Sequence, residues 1–195
     1  MMKSILRRSI VFLIMFIFLF HYSYGKIYIN GIEVDESDIQ KYEEVLRYRA
    51  VADMVFQKSK VASLKYYEKV IEVFPDDFVS LARLSLIYSL REVPELSLYY
   101  GTNALKVYNK LDKKQVYILN YIELLVGLSL SYSKLRNEPE SYRYLDESKR
   151  MLKSLVVFKN DYRRAEELVN YANNVYRKEF YNISLATNTN LLRFR

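Results

Sequence analysis

The chain has 195 residues, enough for one domain of moderate size, and 51% of them are hydrophobic, so a sizeable core is within reach. It contains no cysteine, 4 glycines, 3 prolines and a single histidine, His21, which lies in an apolar N-terminal stretch. These counts exclude disulfides, zinc–thiolate sites, cysteine nucleophiles and a lipid-bearing cysteine, and they disfavour a turn-rich β fold.

Charge narrows the classes further. Lys3, Arg7 and Arg8 fall in the segment from Met1 to Gly25, which holds no acid, so the formal net charge of +7 drops to an excess of four beyond it. So mild an excess gives no support to nucleic-acid binding. The same segment reads as an export signal: a basic start, the apolar run Ile10 to Phe20, and small residues at Ser23 and Gly25, with cleavage expected before Lys26. The alternative is an uncleaved anchor running on through His21 to Tyr24, facing outward from the inner membrane. Either way the rest is expected outside the cytoplasm, in the periplasm or cell envelope, with the N-terminal segment its one link to a membrane.

Residues 26–36 form two short apolar runs around Asn30-Gly31, a two-residue hairpin signal, with a loose leader as the alternative. Ser37 and Gln40 then make a capping box that opens a helical domain over 37–181. The predicted helices run from about Asp38 to Lys58, Lys60 to Phe74 and Phe78 to Leu90, with Asp76 or Asp77 as a cap after Pro75. The second of these puts Val61, Leu64, Tyr67, Ile71 and Phe74 on one face. Pro94 and Pro139 fall in first turns, where a missing N–H is harmless. A long apolar helix is expected over about Leu111 to Leu135. A last amphipathic helix spans Asp161 to Tyr181, with Tyr162, Ala165, Leu168, Val169, Ala172, Val175 and Tyr176 on its apolar side. Residues 182–195 read as a tail.

An internal pattern ties these elements together. Ser63-x-x-Tyr66 recurs as Ser97-x-x-Tyr100 and again, after a longer interval, as Ser141-x-x-Tyr144. Twelve positions before each serine stands a small or β-branched residue, Val51, Ser85 and Ser129, with a bulky one three further on, Met54, Tyr88 and Tyr132. The first interval, about 34 residues, and the proline-acid turn after Phe74 resemble a degenerate tetratricopeptide repeat (TPR) over about Val45 to Leu152. The resemblance implies an all-α, TPR-like solenoid of antiparallel helical hairpins, about three repeats sealed by a C-terminal capping helix.

It also implies a function class. TPR-like proteins grip a peptide or partner helix in a concave groove. Carrying the groove positions over gives Val45, Tyr48, Ala52, Val55 and Phe56, then Val79, Ala82, Leu86 and Leu90, then Glu123, Val126, Leu130, Ser133 and Lys134. Ala52 and Leu86 stand where family members that clamp a terminal carboxylate carry Asn, so an apolar groove taking an amphipathic helix is expected. That groove is either open or already filled by the chain's own terminal helix or N-terminal ribbon. The expected activity is a non-catalytic scaffold that binds another protein, with no cofactor, metal or nucleic acid.

Catalysis is disfavoured because Gly25, Gly31, Gly101 and Gly127 are isolated and form no phosphate loop. The adjacent carboxylates Glu43-Glu44 point apart on a helix, and Asp76-Asp77 serve a cap. The alternative function is a carbohydrate-binding or enzyme-accessory module using surface tyrosines, of which the chain has 20. Tyr66, Tyr88, Tyr100, Tyr132 and Tyr144 fall at repeat-core positions instead.

Overall fold

The computed structural model describes residues 27–29, 32–34, 39–112, 114–155 and 159–181. Contacts divide the chain into a short N-terminal unit and a helical unit that starts at Gln40. In the first, β1 (Ile27–Ile29) pairs antiparallel with β2 (Ile32–Val34), Ile27 opposite Val34 and Ile29 opposite Ile32. The Asn30-Gly31 turn, the Ser37 cap, the export segment and the tail lie outside the described residues.

The helical unit is all-α. Its described helices are α1 (Ile39–Lys58), α2 (Lys60–Val73), α3 (Phe78–Leu90), α4 (Pro94–Lys110), α5 (Ile118–Lys134), α6 (Glu138–Ser154) and α7 (Lys159–Tyr181). Asp77 caps α3 by accepting from the Ser80 amide at 2.9 Å, worth about 1 kcal/mol. Its other oxygen holds Arg49 of α1 at 2.9 Å, so one carboxylate ties α1 to the start of α3. The long helix expected from Leu111 begins later, at Ile118, after a 3-10 turn over Lys114–Tyr117. Tyr117 in that turn packs edge-on against Phe78, which gives the extra residues an aromatic anchor in place of additional helix.

Helix α5 is central: α3, α4, α6 and α7 all pack on it. With its preceding turn it is long and apolar enough to cross a bilayer, yet most of it is buried inside this unit. That is what a core helix covered on several sides requires.

The hairpins α3–α4 and α5–α6 are duplicates, built on the same chemistry. Ser97 donates to the Ser85 carbonyl at 2.8 Å, and Ser141 donates to the Ser129 carbonyl at 3.1 Å. The Tyr88–Tyr100 rings stack at 5.5 Å and the Tyr132–Tyr144 rings at 5.7 Å. Both joints close in the same way. Val93 N–H reaches the Tyr88 carbonyl and Glu92 N–H the Ser89 carbonyl, while Asn137 and Arg136 repeat this on Tyr132 and Ser133. These are Schellman caps, with Glu92 (φ 59°) and Arg136 (φ 56°) in the left-handed position.

The α1–α2 pair departs from that plan. Ser63 donates to its own helix, at the Lys60 carbonyl, and not across to α1. Val51 and Met54, expected inside, are exposed, as is Val61 of the expected inner face of α2. A difference in chemistry is visible one turn after the serine. Tyr67 of α2 stands at the place that Gly101 holds in α4, and its ring is wholly buried against Phe56 at 6.0 Å. A Cβ on Gly101 would lie 2.6 Å from Leu128 and 2.8 Å from Ser85 Oγ, whereas α6 carries a buried Leu145 at the equivalent place and keeps its serine bridge. Tyr67 places a ring there and turns its hydroxyl to Asp53 of α1 and Arg83 of α3, contacts that neither of the other hairpins repeats at this position.

Candidate functional site

Eleven of the fourteen groove positions are apolar or aromatic, and they do not form an open trough. Val45, Ala52, Phe56, Val79, Ala82, Leu86, Val126 and Leu130 are buried, and Tyr48, Val55 and Leu90 are half-buried. Among the additional third-helix positions, Glu123 and Ser133 are buried and Lys134 is exposed, its amine reaching the exposed Glu92. Ala52, Phe56, Leu86, Val126 and Leu130 share one core cluster with Ala165, Leu168, Val169, Ala172 and Tyr176 of α7. Val79 and Ala82 belong to a second cluster on the α4 side, with Leu124, Leu125 and Leu128. The apolar face of α7 packs into the first of these clusters.

How α7 lies follows from its polar ties. Arg164 near its start meets Glu123 near the start of α5, and Glu179 near its end meets Arg136 just past the end of α5. The two helices run parallel. Against α6 the order reverses: Lys149 holds Asn173 at 2.8 Å, while Glu138 accepts from Tyr176 at 3.0 Å.

The most concentrated polar chemistry is a ladder of four side chains, one from each of α1, α3, α5 and α7. Asp53 pairs with Arg83, Arg83 Nε with Glu123 Oε2 at 3.3 Å, and Glu123 Oε1 with Arg164 at 2.5 Å. The charges alternate in sign. Glu123 is fully buried and also accepts from Asn120 at 3.2 Å, so both of its oxygens are satisfied. Tyr67 donates to Asp53 at 2.8 Å and accepts from Arg83 at 2.6 Å. Burial works against the Arg83 charge, but Glu123, Tyr67 and Asp53 outweigh it and hold its pKa above the ordinary value.

Phe56 sits among the cations of this site. The guanidinium carbons of Arg83 and Arg164 lie 4.7 Å and 5.0 Å from its ring centroid, and Lys60 Nζ lies 5.2 Å away. Burial and the charges of Arg164 and Arg83 bring the Lys60 pKa down to about 8, against the opposing pull of Glu123 and Glu167. Burial drives the Tyr67 hydroxyl the other way, well above its usual value, with Asp53 adding to the effect.

Sequence reasoning placed Glu123 on the groove face but did not single out Arg83, Asp53, Lys60 or Arg164 as a set. A signal was present. Phe78–Leu90 is apolar or hydroxylic throughout except for Arg83, and Glu123 is the one acid of α5. A lone cation and a lone anion in two apolar helices are natural partners.

Chemically, the ladder is saturated with its own counter-charges. Among the described residues no cluster of His, Cys, Asp or Glu suits a metal ion. Most tyrosine hydroxyls with identified partners also act between helices: Tyr88 to Glu68 at 2.7 Å, Tyr121 to Glu147 at 2.5 Å and Tyr176 to Glu138. Tyr99, Tyr142 and Tyr181 are the large exposed rings among the described residues.

Comparison with protein-family models, with curated proteins and with solved structures finds no significant match for this chain.

Proposed function

We propose that this chain is a non-catalytic scaffold of the TPR type that works in the cell envelope and binds another polypeptide. The observation that carries the reading is the duplicated hairpin. Serine bridge, tyrosine stack and Schellman joint recur together in α3–α4 and α5–α6. Stacked copies of one hairpin have little to offer as a catalytic centre and much as a recognition surface. The export segment gives the compartment, and the N-terminal residues tether the chain to the membrane wherever that segment is retained.

In this reading α7 is the resident occupant of the apolar face that includes Ala52, Leu86, Val126 and Leu130. A partner supplies an amphipathic helix of the same kind and takes its place. Arg164 is the weak point of α7, since it is partly exposed while its partner Glu123 is buried.

The test is capture from envelope extract with the full chain and with Arg164→Ala. A defined protein, captured more strongly by the variant and displaced by a synthetic peptide of residues 159–181, is the expected result. Enrichment of no protein by either form, or capture unaffected by the peptide, overturns the reading. Binding of glycans alone, lost on replacing Tyr99, Tyr142 and Tyr181, would establish the carbohydrate alternative.

A further inference from the structure

Helix α1 carries a bare apolar face. Leu46, Val51 and Met54 are 43%, 39% and 68% exposed, and Ala50 between them is exposed too. At the positions of Val51 and Met54 the other two hairpins carry Ser85 with Tyr88 and Ser129 with Tyr132, which their own second helices cover. So this face is of a kind that the fold elsewhere covers with a helix.

We propose that the covering helix is α1 of a second copy, packed antiparallel about a two-fold axis at Ala50. The register is self-complementary. Leu46 and Met54 lie four positions either side of Ala50, so each faces the other across the axis. Glu43 lies seven positions before Ala50, and Gln57 and Lys58 lie seven and eight after it, all exposed. Each copy's Glu43 then meets the second copy's Lys58. A parallel pairing would set Glu43 against Glu43 and Lys58 against Lys58, and charge rejects it. The small Ala50 side chain lets the helices cross at the short end of the ~8–10 Å interaxial range. One helix pair buries an area at the low end for specific interfaces, so the dimer is weak and reversible. This inference is independent of the partner-binding reading above and stands or falls without it.

The absence of cysteine makes the register directly testable in the full chain. Ala50→Cys under mild oxidation should give a covalent dimer at least about tenfold faster than Tyr99→Cys, an exposed control on α4. A mixture of Leu46→Cys and Met54→Cys should cross-link between variants faster than either does with itself. Glu43→Lys in the Ala50→Cys background turns two attractions into repulsions and should slow the reaction about tenfold. Adding Lys58→Glu should restore it. All these positions are exposed, and circular dichroism confirms that each variant keeps its helices. Cross-linking of Ala50→Cys no faster than the control, or a Glu43→Lys effect that Lys58→Glu does not reverse, overturns the proposal.

Discussion

Glu123 and Arg164 meet at 2.5 Å across the α5–α7 contact, the carboxylate fully buried and the guanidinium a quarter exposed. A charge that deep is tolerated because Arg83 and Asn120 occupy its second oxygen. Replacing Glu123 by Leu leaves two guanidinium groups facing one another with no anion between them. The variant should lose about 3–5 kcal/mol of unfolding free energy, read from urea denaturation. Glu123→Leu combined with Arg83→Met and Arg164→Met should recover most of that loss, because the buried rungs then become apolar while Asp53 keeps its Tyr67 hydrogen bond and its access to water.

Gly127, one turn after Glu123, supports a close approach of α5 to α3. A Cβ there would stand 3.0 Å from the Leu86 Cα and backbone nitrogen, and a backbone cannot step aside as a side chain can. Ala is the better helix former by about 1 kcal/mol, yet Gly127→Ala should destabilise by about 1–3 kcal/mol because overpacking wins. The urea midpoint decides the sign.

Glu92 holds a left-handed φ of 59° that glycine accepts without steric cost. Glu92→Gly should stabilise the chain by about 0.5–1 kcal/mol. Its exposed contact with Lys134 at 3.1 Å offsets little of that gain. A drop in urea midpoint would refute the assignment of strain to this joint.

Alkaline pH should act in two opposite phases. The Lys60 pKa falls from 10.5 to about 8 on folding, with Arg164, Arg83, Glu123 and Glu167 as the charges around it. Between those values the unfolded chain binds more protons, so stability rises with pH from about 8 towards 10.5. Tyr67, Tyr88, Tyr121 and Tyr176 have folded pKa values raised by burial, so their contribution is intact below 10 and is lost as pH climbs above it. Lys60→Met should remove most of the rise, leaving the smaller part due to Lys149, whose pKa burial also lowers, and should leave the alkaline fall, as measured by urea unfolding from pH 7 to 11.

Much of the helix order was legible because the punctuation agrees with the period. Asp77 caps α3 as its place after Pro75 suggested, and Pro94 occupies the first position of α4. Ser97 and Ser141, each twelve positions beyond a serine, reach back to it as small residues at a close contact should. The first hairpin differs although its Ser-x-x-Tyr matches, because Val51 offers Ser63 no hydroxyl partner and Ser63 turns to its own helix. A four-residue match does not report what stands twelve positions earlier, where the other two hairpins carry serine. The groove positions were assigned by resemblance, and their burial depends on where α7 lies, a long-range fact outside any local pattern. The ladder joins residues 30 to 41 positions apart, so neither periodicity nor motif spacing brings its rungs together.

The ladder's final rung is supplied by the last helix, so the apolar core and its charge balance are completed by one element. A chain cut after Ser154 keeps the Glu123–Arg83 pair but loses Arg164, and it uncovers the face that holds Ala52, Leu86, Val126 and Leu130. Proteolytic clipping ahead of α7 therefore bares hydrocarbon and weakens the neutralisation of an interior acid in a single event, which turns a folded chain into an aggregation-prone one.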